Sequence, residues 1–545
     1  MHLLPRRLLQ GALLLTTLCL AALAAERTKI TVLSTTDLHA HVAPVDYFTN
    51  KPSQDGLAKI ATLIAQERKA APKALLLDIG DTIQGTPLGY FHARKNPTPI
   101  DPTIAVMNHL GYVSMTVGNH EFNFGRPTLH KAQGESKFPW LSANIVKKAD
   151  QSPLFTPYLI REVDGVRIAI LGITTAGIPY WENAETIADL DFLNPTETAA
   201  RYVRLLREQE RPDIVIAAMH TGIEEDLASG IKPPGQIERE NAALDIANNV
   251  PGIDLILMGH THRMIDPLVV NGVLVAQAGY WGNRLVAAEL YMERAAAGQP
   301  WRLLAKSAHN INVTEAVQPD PEVMKIVEPY HAETQAWLDK PIGHSADALV
   351  ATLSREEDSA LLDLIHRVQL EAGKADISFA ASFNPSARIP QGDVTVRNIY
   401  SLYTYENTLC VVELTGAQVK EALEHSARYY LPWEEGKSIA QLANPRIPGY
   451  NFDTAEGVSY QVDLRRPIGD RIVGLSRDGK PLDPAAKFRV AVNNYRQNGG
   501  GGYLMFRKAP VLQRISTEVR DLIIDWVERH KDIPATPSAN WSFVK

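Results

Sequence analysis

Five short segments in the first half of the chain carry side chains that commonly bind metal ions. These segments are Asp37-Leu38-His39, Gly80-Asp81, Gly118-Asn119-His120-Glu121, His220 and Gly259-His260-Thr261-His262. Two divalent ions about 3.5–4 Å apart need one ligand that bridges them, and nitrogen and oxygen ligands that complete each shell. Aspartate can bridge through its two oxygens, neutral histidine suits transition metals, and asparagine supplies a carbonyl oxygen. The residue types therefore predict a site for two metal ions.

Four of these segments follow apolar runs that are typical of buried strands. Asp37, Asp81, His220 and His260 come shortly after the runs at residues 30–33, 74–77, 213–218 and 254–258. In open α/β sheets, ligands gather at the carboxyl ends of strands, where segments distant in sequence meet. A lone histidine is more often a hydrogen-bonded structural residue, and we interpret the histidines outside these segments in that way. Glycines beside the candidate ligands would let the backbone approach closely.

Strands and helices alternate through the first half of the chain. Further apolar runs at residues 167–172, 273–276 and 285–291 predict strands, and amphipathic stretches at 56–68, 195–208 and 238–248 predict helices. This alternation predicts a layered α/β domain over residues 26–317. The stretch Gln318-Pro319-Asp320-Pro321 is typical of a helix start, and a helix over residues 322–338 would link two domains, so we assign residues 318–340 to a linker helix.

The pattern restarts after Pro341-Ile342-Gly343, which ends the linker helix. Helices are predicted at residues 356–372 and 416–427, and strands at 377–380, 408–414, 458–464 and 488–492. We therefore expect a second, mixed α+β domain over residues 341–545. Cys410 lies in an apolar run and is expected to be a core residue.

The N-terminus resembles a cleavable export signal. Arg6-Arg7 precede the apolar run at residues 8–20, and Ala22-Leu23-Ala24 is a small-x-small cleavage site. An uncleaved membrane anchor is the alternative, but polar residues interrupt the run. Residues 1–25 are thus predicted to be a signal peptide, which makes the mature protein periplasmic or otherwise exported, with no stable membrane insertion. Loss of the two arginines takes the formal net charge from −7 to −9.

Length and composition exclude several classes of protein. A chain of 545 residues is too long for one ordinary core and indicates two or three domains. With 45% hydrophobic and 21% charged residues, extensive disorder is excluded. A net charge of −7 argues against a dedicated binder of duplex nucleic acid. Two cysteines cannot form a disulfide scaffold or a cysteine-rich metal site, and we expect a monomer.

The order of the metal-binding segments resembles the calcineurin-like metallophosphoesterases. Asp-x-His, Gly-Asp, Gly-Asn-His-Glu, a lone His and Gly-His-x-His follow one another as in that family. The resemblance implies a four-layer αββα domain, a β-sandwich flanked by helices, with His120 facing the leaving-group oxygen. It also implies two metal-ligand sets that share Asp81 as the bridge: Asp37, His39, Asp81 and His262 for one ion, and Asp81, Asn119, His220 and His260 for the other. Such a shell without cysteine fits Mn, Zn, Co or Fe.

The second half resembles the nucleotide-binding C-terminal domain of exported bifunctional nucleotidases. The matching stretches lie at residues 383–388, 391–393, 401–408, 450–453 and 493–500. The resemblance implies that Tyr405 and Tyr495 sandwich the nucleobase, since aromatic faces stack on any base. It further implies that Asn407 meets a base edge. Asn384 and Arg388 would meet the ribose or phosphate.

Three residues make the chain most similar to the 2',3'-cyclic-nucleotide 2'-phosphodiesterase/3'-nucleotidase branch of the 5'-nucleotidase family. Asn123 stands where 5'-nucleotidases usually have an aspartate that pairs with the catalytic histidine, and Tyr405 and Tyr495 stand where phenylalanine is more frequent. An asparagine oxygen can still accept the imidazole N–H of His120 and fix its tautomer. Gly501 replaces another aspartate, which removes one acceptor for a base amino group.

The predicted function is metal-dependent hydrolysis of nucleotide phosphoesters. The preferred substrates would be 2',3'-cyclic nucleotides, opened to 3'-nucleotides, and 3'-nucleotides, dephosphorylated to nucleosides. A 5'-nucleotidase or nucleotide-sugar hydrolase is the first alternative. A non-catalytic exported nucleotide-binding protein is the second, and the complete set of metal-binding side chains argues against it.

Overall fold

The computed structural model describes residues 25–232, 237–405 and 407–544, which form two α/β halves joined by one helix. The predicted signal peptide falls outside the described residues except for Ala25. Within the described ranges, no helix combines the length and the apolar character that a bilayer crossing requires.

Two six-stranded sheets form the centre of the first half. In spatial order, the first sheet contains Arg302–Asn312, Arg284–Arg294, Glu26–Thr35, Leu75–Asp78, Ser114–Thr116 and Trp140–Leu141. The second sheet contains, in spatial order, Met264–Val270, Val273–Ala278, Leu255–Met258, Ile214–His220, Val166–Thr174 and Tyr158–Val163. The central strands of both sheets run parallel, so their carboxyl ends lie at one edge.

The two sheets pack face to face, and helices cover their outer faces. Val32 and Leu77 of the first sheet and Ile216 and Leu257 of the second share one buried cluster. The first sheet is covered by Leu57–Ala70, Pro87–Arg94, Pro102–Leu110 and Arg126–Glu135, and the second by Pro195–Leu205 and Ala243–Asn249. Burial of alternate residues on both faces explains why the strands are apolar throughout. The predicted four-layer αββα arrangement is confirmed.

Two of the predicted helices begin later than expected. The helix expected at residues 238–248 starts at Ala243, because the preceding segment turns back over the second sheet. There the carbonyl oxygen of Glu240 accepts hydrogen bonds from the hydroxyls of Thr175 (2.8 Å) and Thr221 (2.9 Å). The helix expected at 356–372 starts after Ser359, whose hydroxyl accepts a hydrogen bond from the N–H of Leu362 and caps it.

The predicted linking helix is present as Pro321–Leu338 and contacts both halves. Asp320 caps it by accepting hydrogen bonds from the N–H groups of residues 322 and 323. Near its end, Trp337 stacks on Tyr90 of the first half, with ring centres 6.0 Å apart, and meets Tyr400 of the second half edge-on at 5.1 Å. The linker is therefore packed against both halves.

A five-stranded mixed sheet forms the centre of the second half. In spatial order it contains Asp453–Glu456, Ile377–Ala381, Lys487–Asn493, Thr408–Thr415 and Val511–Glu518. Smaller sheets are formed by Lys480–Pro481, Ile472–Arg477, Ser459–Val462 and Trp541–Phe543, and by Gly392–Thr395, Pro341–Ser345 and Asp532–Ile533. The helices are Ala360–Gly373, Val396–Leu402, Gly416–Ala427, Asn494–Gln497, Leu504–Lys508 and Val519–His530. Cys410 is buried in the central sheet, as expected for a core residue.

Candidate metal centre and nucleotide cavity

The predicted metal ligands lie in loops just beyond the carboxyl ends of the parallel strands. Five of them have positive φ angles, in the left-handed region that residues other than glycine rarely adopt: Asp37 (50°), His39 (47°), Asp81 (56°), His260 (76°) and His262 (52°). Each such conformation costs about 1–3 kcal/mol and persists only where the surrounding structure enforces it. Backbone strain is therefore concentrated at the residues that the sequence predicts to bind metal.

Asp37, His39 and His262 form the first ligand group, with ligand atoms within 4.8 Å of one another. His39 Nδ1 lies 2.8 Å from the carbonyl oxygen of Gln84 and donates to it, which leaves Nε2 with a free lone pair. That Nε2 is 2.9 Å from Nε2 of His262, which in turn lies 3.3 Å from Asp37 Oδ1. Burial and the neighbouring His120 lower the pKa of His39 to about 3, so this ring is neutral, as a ligand must be.

Asp81, His220 and His260 form the second group, beside Asn119. His220 Nδ1 donates to the carbonyl oxygen of Ile79 at 2.6 Å, and its Nε2 lies 3.0 Å from Asp81 Oδ2. Among the described residues, Asn119 Oδ1 and His260 Nδ1 are buried without a hydrogen-bond partner. Leaving such groups unpaired costs about 1–3 kcal/mol each, whereas a cation would satisfy both. The donor set therefore fits a divalent metal ion.

The carboxylate of Asp81 lies between the two groups. Its Oδ2 is 3.0 Å from His220 Nε2 and 3.9 Å from His39 Nε2, so it faces both ligand groups. Burial disfavours the ionised form, but His220 and His120 outweigh that effect and hold the pKa of Asp81 well below its usual range. The position supports the bridging role that the resemblance implies.

Two glycines make room for the carboxylates. A Cβ on Gly118 would lie 2.2 Å from Asp81 Oδ1, and one on Gly259 would lie 2.9 Å from Asp37 Oδ2. Both distances are shorter than atoms can approach, so these positions require glycine. The glycines quoted in the sequence motifs thus have a steric reason.

Two carboxylates support the metal centre through hydrogen bonds to its residues, and neither role was predicted from the sequence. Glu121 is fully buried and accepts hydrogen bonds from the backbone N–H groups of Asp81 (3.0 Å), Thr82 (2.6 Å) and Gly118 (2.7 Å). Glu240 Oε1 lies 3.3 Å from His260 Nε2, which leaves His260 Nδ1 facing the metal centre. Glu121 could have been suspected from its place in the Gly-Asn-His-Glu motif, whereas nothing in the sequence marked Glu240.

His120 lies beside the metal centre and is held by Asn123. His120 Nδ1 donates to Asn123 Oδ1 at 2.6 Å, and its Nε2 lies 4.0 Å from Asp81 Oδ2. About a third of the His120 side chain is exposed, on the side of the adjoining cavity. The residue pair expected from the sequence is thus in hydrogen-bond contact, with Nε2 as the nitrogen that faces the cavity.

A cavity of about 340 Å³ joins the metal centre to the second half of the chain. From the first half it is lined by Gln84, Asn119, His120, Asn123, Ile178, Trp181, Glu182, Glu240 and His260. From the second half it is lined by Phe383, Tyr405, Asn407, Tyr450, Asn494 and Tyr495. Its volume is in the range of small-ligand sites. One end offers metal ligands and the other offers aromatic rings, which is what a phosphate joined to a base requires.

At the aromatic end of the cavity, Tyr405 and Tyr495 each have one neighbouring residue against the ring. Phe383 meets Tyr405 edge-on, with ring centres 5.0 Å apart. A Cβ on Gly500 would lie 2.5 Å from three ring carbons of Tyr495, so glycine backbone covers that face of the ring. Phe383 and Tyr450 belong to the sequence stretches that resemble nucleotidases, but neither was predicted to line the site.

Asn384 and Arg388 do not line this cavity. Asn384 Nδ2 donates to the carbonyl oxygen of Ser401 at 2.9 Å, and its Oδ1 accepts from the N–H of Ser386 at 3.0 Å. Arg388 is exposed on a short strand that pairs with Leu349–Val350. In this arrangement Asn384 stabilises its own loop, and the predicted contacts of both residues with ribose or phosphate stay predictions.

Known proteins resemble the chain over nearly its whole length. Residues 30–264 match the family described as Calcineurin-like phosphoesterase, and residues 341–508 match the 5'-nucleotidase, C-terminal domain. A 2',3'-cyclic-nucleotide 2'-phosphodiesterase/3'-nucleotidase of Salmonella typhimurium is 32% identical, across 90% of this chain and 84% of that protein. The trifunctional nucleotide phosphoesterase protein YfkN of Bacillus subtilis is 30% identical across 95% of this chain, which spans only 39% of that longer protein.

Solved structures agree with these relatives. A Staphylococcus aureus protein described as a 5'-nucleotidase superposes with a TM-score of 0.82 at 26% identity, covering 95% of this chain and all of that one. The 5'-nucleotidase precursor of Thermus thermophilus superposes with a TM-score of 0.64 at 26% identity, with the same coverage. The chain therefore belongs to the 5'-nucleotidase family, in which a calcineurin-like phosphoesterase domain precedes a 5'-nucleotidase C-terminal domain, and it is a metal-dependent hydrolase of nucleotide phosphoesters.

Proposed function

We propose that this protein opens 2',3'-cyclic nucleotides to 3'-nucleotides and then dephosphorylates the 3'-nucleotides to nucleosides. The observation that carries the proposal is the cavity that His120 and the predicted metal ligands Asn119 and His260 line together with Tyr405 and Tyr495. The Salmonella typhimurium relative, whose name gives these two activities, supports the choice of substrate. We further propose that the mature protein is exported to the periplasm and acts as a monomer.

The metal centre and His120 would share the chemistry. Asp37, His39, Asp81 and His262 would hold one ion, and Asp81, Asn119, His220 and His260 the other, with Mn, Zn, Co and Fe as candidates. Two ions held there would activate water as the nucleophile and offset the charge of the phosphoryl oxygens. Because Asn123 accepts the Nδ1 proton, His120 presents Nε2 to the cavity, where it would face the departing ribose oxygen.

The two steps break different bonds of the same ribose phosphate. In the first, the oxygen of water bonds to phosphorus, the P–O2' bond breaks and the 2' oxygen takes a proton, so a 3'-phosphate remains. In the second, the oxygen of another water bonds to phosphorus, the P–O3' bond breaks and the 3' oxygen takes a proton, which releases nucleoside and phosphate. Stacking between the tyrosines would hold the base in both steps, since it depends on the aromatic face rather than on the position of the phosphate.

A comparison of three substrates tests the proposal. The purified protein, with its metal content measured, would be assayed on 2',3'-cyclic AMP, 3'-AMP and 5'-AMP under identical conditions. We expect higher kcat/KM for the first two than for 5'-AMP. A higher kcat/KM for 5'-AMP would overturn the proposal in favour of a 5'-nucleotidase. No turnover of any of the three would favour a binding protein.

A further inference from the structure

The side chain of Asn123 lies between His120 and a second carboxylate, Glu182. Its Oδ1 is 2.6 Å from His120 Nδ1, and its Nδ2 donates to Glu182 Oε2 at 3.1 Å. Glu182 is only 7% exposed and lines the same cavity. The three side chains therefore form a hydrogen-bonded row that ends at the catalytic ring.

This row determines which way the Asn123 amide points. An ionised carboxylate only accepts hydrogen bonds, so Glu182 requires the NH₂ group of Asn123 to face it. The amide oxygen then faces His120 and accepts the proton of Nδ1, which leaves Nε2 unprotonated in the neutral ring. Without Glu182, the amide could turn over and present NH₂ to Nδ1, and the proton would then lie on Nε2.

The Glu182 carboxylate is itself held in place. Its Oε1 accepts a hydrogen bond from the N–H of Asn183 at 2.6 Å. Among the described residues, the carboxylate bonds only to Asn123 and Asn183, and Glu182 belongs to none of the side-chain groups there that could hold a metal ion. The segment that carries Glu182 also contacts the second half of the chain. Asn494 Nδ2 donates to the carbonyl oxygen of Trp181 at 3.4 Å, and Asn498 Nδ2 donates to that of Glu182 at 3.5 Å.

We propose that Glu182 is a positioning residue that acts through Asn123 to fix the orientation and tautomer of His120. The inference deepens the proposed function, on which it rests for the role of His120. Asn123 and Glu182 together would replace the single carboxylate that orients the equivalent histidine in 5'-nucleotidases. A lone aspartate at position 123 would be unsuitable here, because it would place two carboxylates about 3 Å apart beside one ring.

Exchanging the two side chains tests the proposal. Asn123→Asp alone sets two carboxylates against each other, and we expect kcat to fall about 10- to 100-fold, as for other residues that orient an active-site group. The double variant Asn123→Asp/Glu182→Gln restores a carboxylate–amide pair with the partners reversed, and most of the lost activity should return. Equal loss in the single and double variants, or full activity of Asn123→Asp alone, would overturn the proposal.

Removing the acceptor gives an independent check. Glu182→Leu should lower kcat more than Glu182→Gln, because glutamine can still turn its oxygen towards Asn123. The ¹⁵N shifts of His120 should show the Nδ1–H tautomer in the wild type and its loss in Glu182→Leu. Unchanged shifts in Glu182→Leu would contradict the positioning role even if its activity were low.

The leaving group separates this role from a merely structural one. With Nδ1–H donating to Asn123, the ring can take a second proton on Nε2, give it to the leaving oxygen and return to its neutral form, whereas a ring whose Nδ1 accepts from the amide holds one proton only and is a poor acid. Among substituted phenyl phosphates, poor leaving groups need a proton more than good ones, so Glu182→Leu should steepen the dependence of kcat on leaving-group pKa. Equal loss on all of these esters, with metal content unchanged, would count against the proposal. The comparison of Asn123→Asp with Asn123→Asp/Glu182→Gln can also be made with 5'-AMP as substrate. It therefore tests the role of Glu182 even if the substrate comparison rejects the proposed function.

Discussion

On the metal side of the cavity the backbone is strained, whereas on the nucleotide side each aromatic ring lies against a neighbouring residue and Tyr405 stays 47% exposed. Asp37, Asp81 and His260 lie in left-handed backbone, and within the described part of the chain the buried Nδ1 of His260 has no hydrogen-bond partner. Tyr405 and Tyr495, by contrast, have their rings against Phe383 and Gly500. The first side needs ions to satisfy it, while the second is satisfied by the protein itself.

The difference indicates how the two sides contribute to activity. Ligands held in strained loops at strand ends leave little freedom in where ions bind, and this suits a reaction that needs the phosphorus at a defined position. Aromatic faces accept any base in several orientations. The metal side would therefore determine the chemistry, and the nucleotide side would determine which molecules are held long enough to react.

The largest expected effect comes from removing the shared ligand. Asp81→Ala takes away the carboxylate that faces both ligand groups. Metal ions contribute several kcal/mol of transition-state stabilisation, so kcat/KM should fall about 10³-fold or more on nucleotides and on phenyl phosphates alike. Steady-state kinetics with metal analysis would measure this. Unaltered hydrolysis by Asp81→Ala would disprove the assignment of the metal centre.

Removing the metal ions with a chelator should affect the metal side of the cavity more than the nucleotide side. Ions present at about a hundred times their dissociation constant stabilise the folded state by about 2.7 kcal/mol. Their removal should lower the free energy of unfolding by the same amount. Hydrogen exchange should then rise in the loops around Asp37, Asp81 and His260 and change little near Tyr495. Restoring a divalent ion should reverse the effect. A uniform rise across both halves would show that the contrast between them is wrong.

The smallest effect is expected from the aromatic rings. Tyr495→Ala should raise KM for nucleotides about 5- to 150-fold, from a loss of about 1–3 kcal/mol of stacking, and leave phenyl phosphate turnover unchanged. Tyr495→Phe is the matched control, because it keeps the ring and removes only the hydroxyl. If Phe were as damaging as Ala, the hydroxyl rather than the aromatic face would be the recognising group.

The ligands of four segments could be identified from the sequence because those segments lie within a few residues of a recognisable strand, whereas Asn119 follows the strand Ser114–Thr116, which no apolar run marked. Strand Ile214–His220 ends at its ligand, and strand Leu255–Met258 ends two residues before His260. The apolar runs that mark these strands also indicate where the strands end. Because the carboxyl ends of parallel strands lie at one edge of a sheet, metal ligands from segments distant in sequence could be expected to meet there. The same runs predicted a layered α/β domain, and the four-layer arrangement came from the family resemblance.

The nucleotide side could not be derived in this way. Tyr405 and Tyr495 are 90 positions apart in segments without periodicity, and only the resemblance to nucleotidases pointed to them. Glu182 and Glu240 lie in irregular segments, where no pattern relates side-chain direction to sequence. The helix expected from residue 238 failed for the same reason, since tertiary hydrogen bonds at Glu240 outweigh local helix preference.

The run Gly499-Gly500-Gly501-Gly502 follows Tyr495 in the sequence and packs against its ring. With backbone against one face of Tyr495, a base can approach the ring only from the opposite side. A Cβ at position 500 would lie 2.5 Å from three ring carbons of Tyr495, so any larger residue there would have to displace the ring. The absence of a side chain at position 500 thus allows the Tyr495 ring to keep the place at which it lines the cavity.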